Sequence, residues 1–316
     1  DAFSLKKDTI FSFDMIVMKY IQIQCFIFIL FAFSGLSLSA QNSLPYDLEE
    51  PSETYLMPDE LQEISGIHFT HEGHFACIQD EAGIIFIYDT AQRKVIEEIE
   101  FGPDKDYEDI ELIGGDAYVL ENDGDIRWVK NYRHESRETV RFDTEMSSEN
   151  DAEGLTYHQA SHSLLIACKG KASLSDDLNM EGYRAVYRFD LNNHELFKAP
   201  VMLIKLDDLM DYSNLNPFAK ISYKLAAMLD SNGDIRFQPS AISIPPESEE
   251  VYILSFTSTM LAVYDAHGSL KTAKDLNKRI FLQPEGLCFD QEGTLYISNE
   301  GNGGTANVLK FPQIKN

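Results

Sequence analysis

Four glutamates stand at the head of short apolar runs: Glu63 in "LQEISGIHF", Glu108 in "DYEDIELIG", Glu153 in "DAEGLTYHQ" and Glu285 in "QPEGLCFDQ". A fifth segment, "QPSAISIPP", opens alike and carries Ser240 at the matching place. In chain order these positions lie 45, 45, 87 and 45 residues apart. Carboxylates gathered at one place repel one another, and their pKa values rise unless a cation neutralises them. Oxygen donors of this kind suit a hard cation, and Ca²⁺ is the expected one. A second polar set closes the run that follows each glutamate: Gln79 or Asp80, then Glu121 and Asn122, Lys169, and Asn299 and Glu300. Lys169 offers an internal counter-charge to these acids. The alternative is that each glutamate caps a turn and serves structure alone.

Such groups act together only if the chain folds them to one place, and the repeat says how. Each unit holds about four apolar runs of strand length, such as "GIHF", "HFACIQ", "GIIFIYD" and "KVIEEIEF" in the first. Gly, Asp, Asn and Pro punctuate them, as in "HEGH", "IGGD" and "NDGD". Four short antiparallel strands in each unit of 40 to 50 residues is the pattern of a β-propeller blade. The fold expected is therefore all-β, with the glutamates converging on one mouth of the central channel. Five blades with a helical insert near residues 207–234 fit the double interval, and six blades are the alternative. The last unit shows only three strands, so "ETYLMP" ahead of the first is expected to supply its outer strand and close the ring.

The net charge is −26, which argues against a nucleic-acid partner because phosphate binding needs clustered Lys and Arg. Met18 opens "MKYIQIQCFIFILFAFSGLSLSAQ", in which a lysine, an apolar run from Ile21 to Phe33 and small residues up to Ala40 follow in order. That order predicts upstream residues and a cleavable signal peptide over 1–40, with Met15 or Met18 as the start. The run is short for a membrane span, and Cys25 within it is not read as a lipid anchor. Residues 41–53 are then a linker and 54–316 a single propeller domain, in a protein bound for the periplasm or the cell surface. Cys77, Cys168 and Cys288 remain, an odd number on separate apolar runs, and are expected as buried free thiols.

Other motifs carry less. His68, His71 and His74 in "HFTHEGH" cross a strand, a turn and a strand, so zinc is not expected of them. "ENDGD" and "DSNGD" lack the distal Glu of a calcium loop and are read as turns. The glycine-rich "SNEGNGGTAN" has no phosphate-loop lysine, and no G-x-S-x-G elbow is present.

Taken together, "LQEISGI", "DYEDIE", "DAEGLTY", "LLIACKGK", "QPSAISI" and "QPEGLCFDQEGTLYISNEG" resemble the SdiA-regulated family of bacterial exported proteins, from about Leu61 to Pro312. More distantly the chain is similar to calcium propellers of the phytase-like and gluconolactonase-like kinds. That second resemblance implies channel carboxylates holding Ca²⁺. It departs from them at Ser240, which thins the acid ring, and in offering only Lys169 and Lys171 as basic groups for a phosphate. The function expected is a calcium-binding scaffold or binding protein of the cell envelope, for an unknown small molecule or envelope protein. The alternative is a calcium-dependent phosphoesterase or lactonase at the channel mouth.

Overall fold

The computed structural model describes residues 44–175, 177–212 and 237–314. Five antiparallel sheets account for the strands. Strand β1 (Glu53–Leu56) precedes blade 1, which is β2–β5 (Ile64–Phe69, His74–Gln79, Ile84–Asp89, Lys94–Glu100). Blade 2 is β6–β9 (Tyr107–Ile113, Asp116–Glu121, Ile126–Lys130, Glu138–Phe142). Blade 3 is β10–β14 (Ala152–His158, Ser163–Cys168, Tyr183–Asp190, Glu195–Leu196, Met202–Lys205). Blade 4 is β15–β18 (Ala241–Ser243, Val251–Ser255, Met260–Tyr264, Leu270–Asp275), and β19–β21 (Pro284–Phe289, Leu295–Asn299, Asn307–Phe311) begin blade 5.

The innermost strands β2, β6, β10, β15 and β19 pack each against the next, and β19 returns to β2, so the ring closes at five. The long interval between the third and fourth repeats therefore adds no sixth inner strand among the described residues, and blade 3 has five strands. Its fourth strand is broken into β13 and β14, which pair with opposite ends of β12. Pro200 lies between the two pieces and has no N–H to continue a ladder. The helical insert expected near 207–234 is represented by one short turn of helix, Leu206–Leu209, followed by a 3₁₀ turn to Tyr212. Residues 213–236 lie outside the described residues, as do residues 1–43.

Hydrophobic patterning explains why the blades stack. Five clusters of buried side chains are present, one at each junction between neighbouring blades. Ile78, Ile85 and Ile87 of blade 1 meet Ile110, Val119 and Val129 of blade 2, for example. The stretch expected as a linker takes part: Tyr46 and Leu48 are buried in the cluster between blades 4 and 5, and the Tyr46 hydroxyl donates to the Gly293 carbonyl at 2.9 Å. The three cysteines are free and buried, as expected. Burial pushes the Cys168 thiol up to about 12, which leaves it unreactive at neutral pH.

Strand β1 pairs antiparallel with β21, from Glu53 opposite Lys310 to Leu56 opposite Asn307. "ETYL" thus supplies the outer strand of blade 5, as the sequence indicates. Tyr55 anchors it: the ring is buried, meets Phe75 edge-on with centroids 5.6 Å apart, and lies under the Arg93 guanidinium. Tyr55→Ala is expected to cost about 3 kcal/mol in urea denaturation, the range for losing a buried aromatic side chain. A cost below 1 kcal/mol would show that β1 does not hold the ring.

The innermost strands approach so closely at mid-channel that three of them carry glycine there. A Cβ on Gly66 would lie 2.6 Å from Asp109 Cα, and one on Gly154 would lie 2.8 Å from the Ile242 nitrogen. Asp109 takes the glycine's place in blade 2. Its buried carboxylate accepts hydrogen bonds from Ile110 N at 2.8 Å and Leu155 N at 2.7 Å, which ties blade 2 to blade 3.

Candidate cation site at the acidic mouth

Register decides which side chains reach the channel. In blades 2, 3 and 5 the first two strands pair with one residue extra on the inner strand, between Tyr107 and Asp109, Ala152 and Gly154, and Pro284 and Gly286. The extra residue is the glutamate: Glu108, Glu153 and Glu285. A β-bulge of this kind re-aims a side chain that strict alternation would turn to the other face. In blade 1 the irregularity falls between Ile64 and Ile67. Ile64 pairs with Gln79 as Tyr107 pairs with Glu121, so the residue matching Glu108 is Ser65. The equal first interval misleads here by two residues, because a strand of period two puts Glu63 on the same face as Ser65.

Glu63 nevertheless lines the mouth, one step further out. A cavity of about 280 Å³ opens at the ends of the inner strands, lined by Glu63, Ser65, Glu108, Glu153, Ser240 and Glu285 among others. Two further acids, Asp106 and Asp151, stand two residues ahead of Glu108 and Glu153, as Glu63 stands ahead of Ser65, and they line it too. These two were not singled out from the sequence, although their spacing from the glutamates was the available signal. The ends of the second strands contribute Asp80, Asn122, Lys169 and Glu300. Eight carboxylates and one lysine thus face one space, and blade 4 adds only the Ser240 hydroxyl, which donates to the Pro284 carbonyl at 2.9 Å.

Two expected supporting residues lie elsewhere. Glu121 is buried and accepts from Arg127 Nε at 2.6 Å, with Lys105 Nζ at 3.1 Å. Asn299 is buried and donates to the Ile280 carbonyl at 3.1 Å and to Asn307 Oδ1 at 3.0 Å, which pins the loops of its own blade. In both cases the last paired residue of the strand turns inward and the next one reaches the channel. Of the alternatives Gln79 and Asp80, it is accordingly Asp80 that lines the cavity.

Burial and mutual repulsion set the electrostatics. Burial, then the negative charge of Glu153, pushes Glu285 up to about 8. Burial, with Glu153 and Asp106 nearby, raises Glu108 well above the ordinary carboxyl range. Burial also raises Glu153, against the pull of Lys169 Nζ at 2.7 Å. Asp80 is raised to about 6 by burial and by Glu63. The same carboxylates hold Lys169 protonated, its pKa raised against the opposing effect of burial. Among the described residues Lys169 is the only Lys or Arg lining the cavity, and Glu153 engages it.

The donor set fits a hard divalent ion: carboxylate oxygens, an amide and hydroxyls, with no sulfur or imidazole. Asp80 Oδ1 is buried with no hydrogen-bond donor among the described residues. Among the described residues, three acids bring oxygens within 4.8 Å of one another only at Glu121, Asp123 and Asp125. That cluster is already neutralised by Arg127, Arg141 and Lys105. At the mouth the acids stand wider apart, which suits an ion that keeps part of its water shell. His68, His71 and His74 do not converge: His68 meets Glu111, and His74 lies 3.7 Å from Asp89.

Fold and site together define a five-bladed β-propeller with one strongly acidic channel mouth. The model of the SdiA-regulated family matches residues 179–303, a span that contains "QPSAISI" and "QPEGLCFDQEGTLYISNEG", so the resemblance is borne out there. No curated protein matches the sequence. Among solved structures, a glutaminyl cyclase from Myxococcus xanthus is similar with TM-score 0.51 and 13% identity, covering 83% of this chain and 94% of that one. A streptogramin B lyase is similar at TM-score 0.46 and 12% identity, covering 82% of this chain and 97% of that one. A luciferin-regenerating enzyme is similar at TM-score 0.46 and 11% identity, covering 83% and 95%. At such identities the likeness is one of fold alone.

Proposed function

We propose that this chain is an exported, calcium-binding β-propeller that acts as a binding or scaffold protein at the cell envelope. One observation carries the calcium reading: eight carboxylates share a cavity of about 280 Å³ with a single lysine. So many like charges in one small space are accommodated either by protonation, as the raised pKa values describe, or by a cation. The run from Ile21 to Phe33 and the "SLSA" that follows support export. A hydrolytic role is less favoured, because Lys169, the basic group best placed to meet a phosphate, is engaged by Glu153.

Calorimetric titration of the chelator-stripped protein is expected to show Ca²⁺ binding in the micromolar range typical of carboxylate-rich sites. Glu108→Gln with Glu285→Gln is expected to weaken it at least tenfold. No binding by the unaltered protein, or undiminished binding by the double variant, would overturn the reading.

A further inference from the structure

At its opposite end the channel opens into a second and larger cavity, of about 1190 Å³. Register again sorts its walls into layers. One position beyond the packed residues Ile67, Ile110, Leu155, Ile242 and Leu287, the five inner strands carry His68, Glu111, Thr156, Ser243 and Cys288, and all five line the cavity. The floor is thus a ring of hydrogen-bonding side chains. The next position carries Phe69, Leu112, Tyr157, Ile244 and Phe289, an apolar and aromatic wall. A largely apolar concavity over a few convergent polar groups is the usual construction of a small-molecule site.

The polar groups have a definite sign. On the floor, His68 Nδ1 lies 3.2 Å from Glu111 Oε1, and Glu111 is the only carboxylate in the ring. At the rim stand Glu72, Glu247, Glu249 and Asp290 against one arginine, Arg133. Arg133 is bound to Glu72 and to Glu97, so it does not offset the rest. An anionic ligand would meet repulsion at the rim and no lysine or arginine on the floor, where His68 is already engaged by Glu111. A ligand with an ammonium head would find Glu111 below and aromatic faces around it, both attractive to a cation.

We infer that this second mouth binds a small amphipathic amine, its apolar ring system held by Phe69, Tyr157 and Phe289 and its ammonium directed to Glu111. The site is separate from the acidic mouth and stands whether or not that mouth holds calcium.

Three probes with one ring and different heads test it by calorimetry: naphthylethylamine, naphthylethanol and naphthylacetate. The amine is expected to bind at least fivefold more tightly than the alcohol, and the carboxylate weakest. Glu111→Gln is expected to abolish the preference for amine over alcohol. Gln159→Lys, at an exposed rim position where folding is not at stake, should weaken the amine and strengthen the carboxylate. Equal or tighter binding of the carboxylate, or no binding by any probe, would overturn the inference. Loss of amine binding in the Glu108→Gln, Glu285→Gln variant would also overturn it, since the amine would then sit at the other mouth.

Discussion

In chelator, the folded protein is expected to lose stability steadily as pH rises from 5 to 8, and calcium is expected to restore it. Glu285 sits at about 8 against an ordinary value of 4.5, Asp80 at about 6 against 3.8, and Glu108 and Glu153 are raised as well. Each of these carboxyls holds its proton more tightly in the folded chain than in the unfolded one. Their contribution is fully present below the ordinary value and is lost as pH climbs through the folded value. A single pKa unit corresponds to about 1.4 kcal/mol, so the combined loss across this window is on the order of several kcal/mol. Carboxyls with lowered values, such as Glu72 and Asp89, act in the opposite sense but only near and below their ordinary range. Urea midpoints at pH 5, 6.5 and 8, with and without millimolar calcium, measure the effect. A chelated protein whose stability is flat or rising from 5 to 8 would show that the mouth is not electrostatically strained.

The second large effect concerns the waist of the channel. Gly66→Ala is expected to cost about 3 kcal/mol, the upper range for overpacking, because its Cβ would stand 2.6 Å from Asp109 Cα and 2.9 Å from the Ile110 nitrogen. Both atoms are backbone, so relief requires blades 1 and 2 to part. Gly115→Ala is the control: nothing lies within 4 Å of its Cβ, and loss of unfolded-chain freedom makes it neutral or slightly stabilising. Equal urea midpoints for the two variants would refute the close approach of β2 and β6.

Much of this was legible in the sequence because the fold is periodic. Turn residues and apolar runs recur with each blade, so strands, closure by "ETYL" and the convergence of Glu108, Glu153 and Glu285 follow from spacing. Glu63 was matched to the wrong partner because a bulge has no compositional mark, and a shift of two residues preserves the face. Glu121 and Asn299 are expected in the channel but lie off it, for a related reason. Whether the last paired residue or the next one reaches the channel depends on inter-strand register, which a single strand does not encode. The polar ring of the second mouth has no repeated residue type, His68, Glu111, Thr156, Ser243 and Cys288 all differing, so no self-comparison of the chain reveals it.

The pairing of β1 with β21 also governs timing. Ser52 and Lys310, bonded across the seam, are 258 residues apart in the chain. A ribosome delivers β1 well before its partner β21, so four blades can stack while the fifth waits for both. Until β21 emerges, the assembling protein is an open arc with Tyr55 unsheathed and two raw edges, one on β1 and one on the last stacked blade. Completion is therefore a single late event.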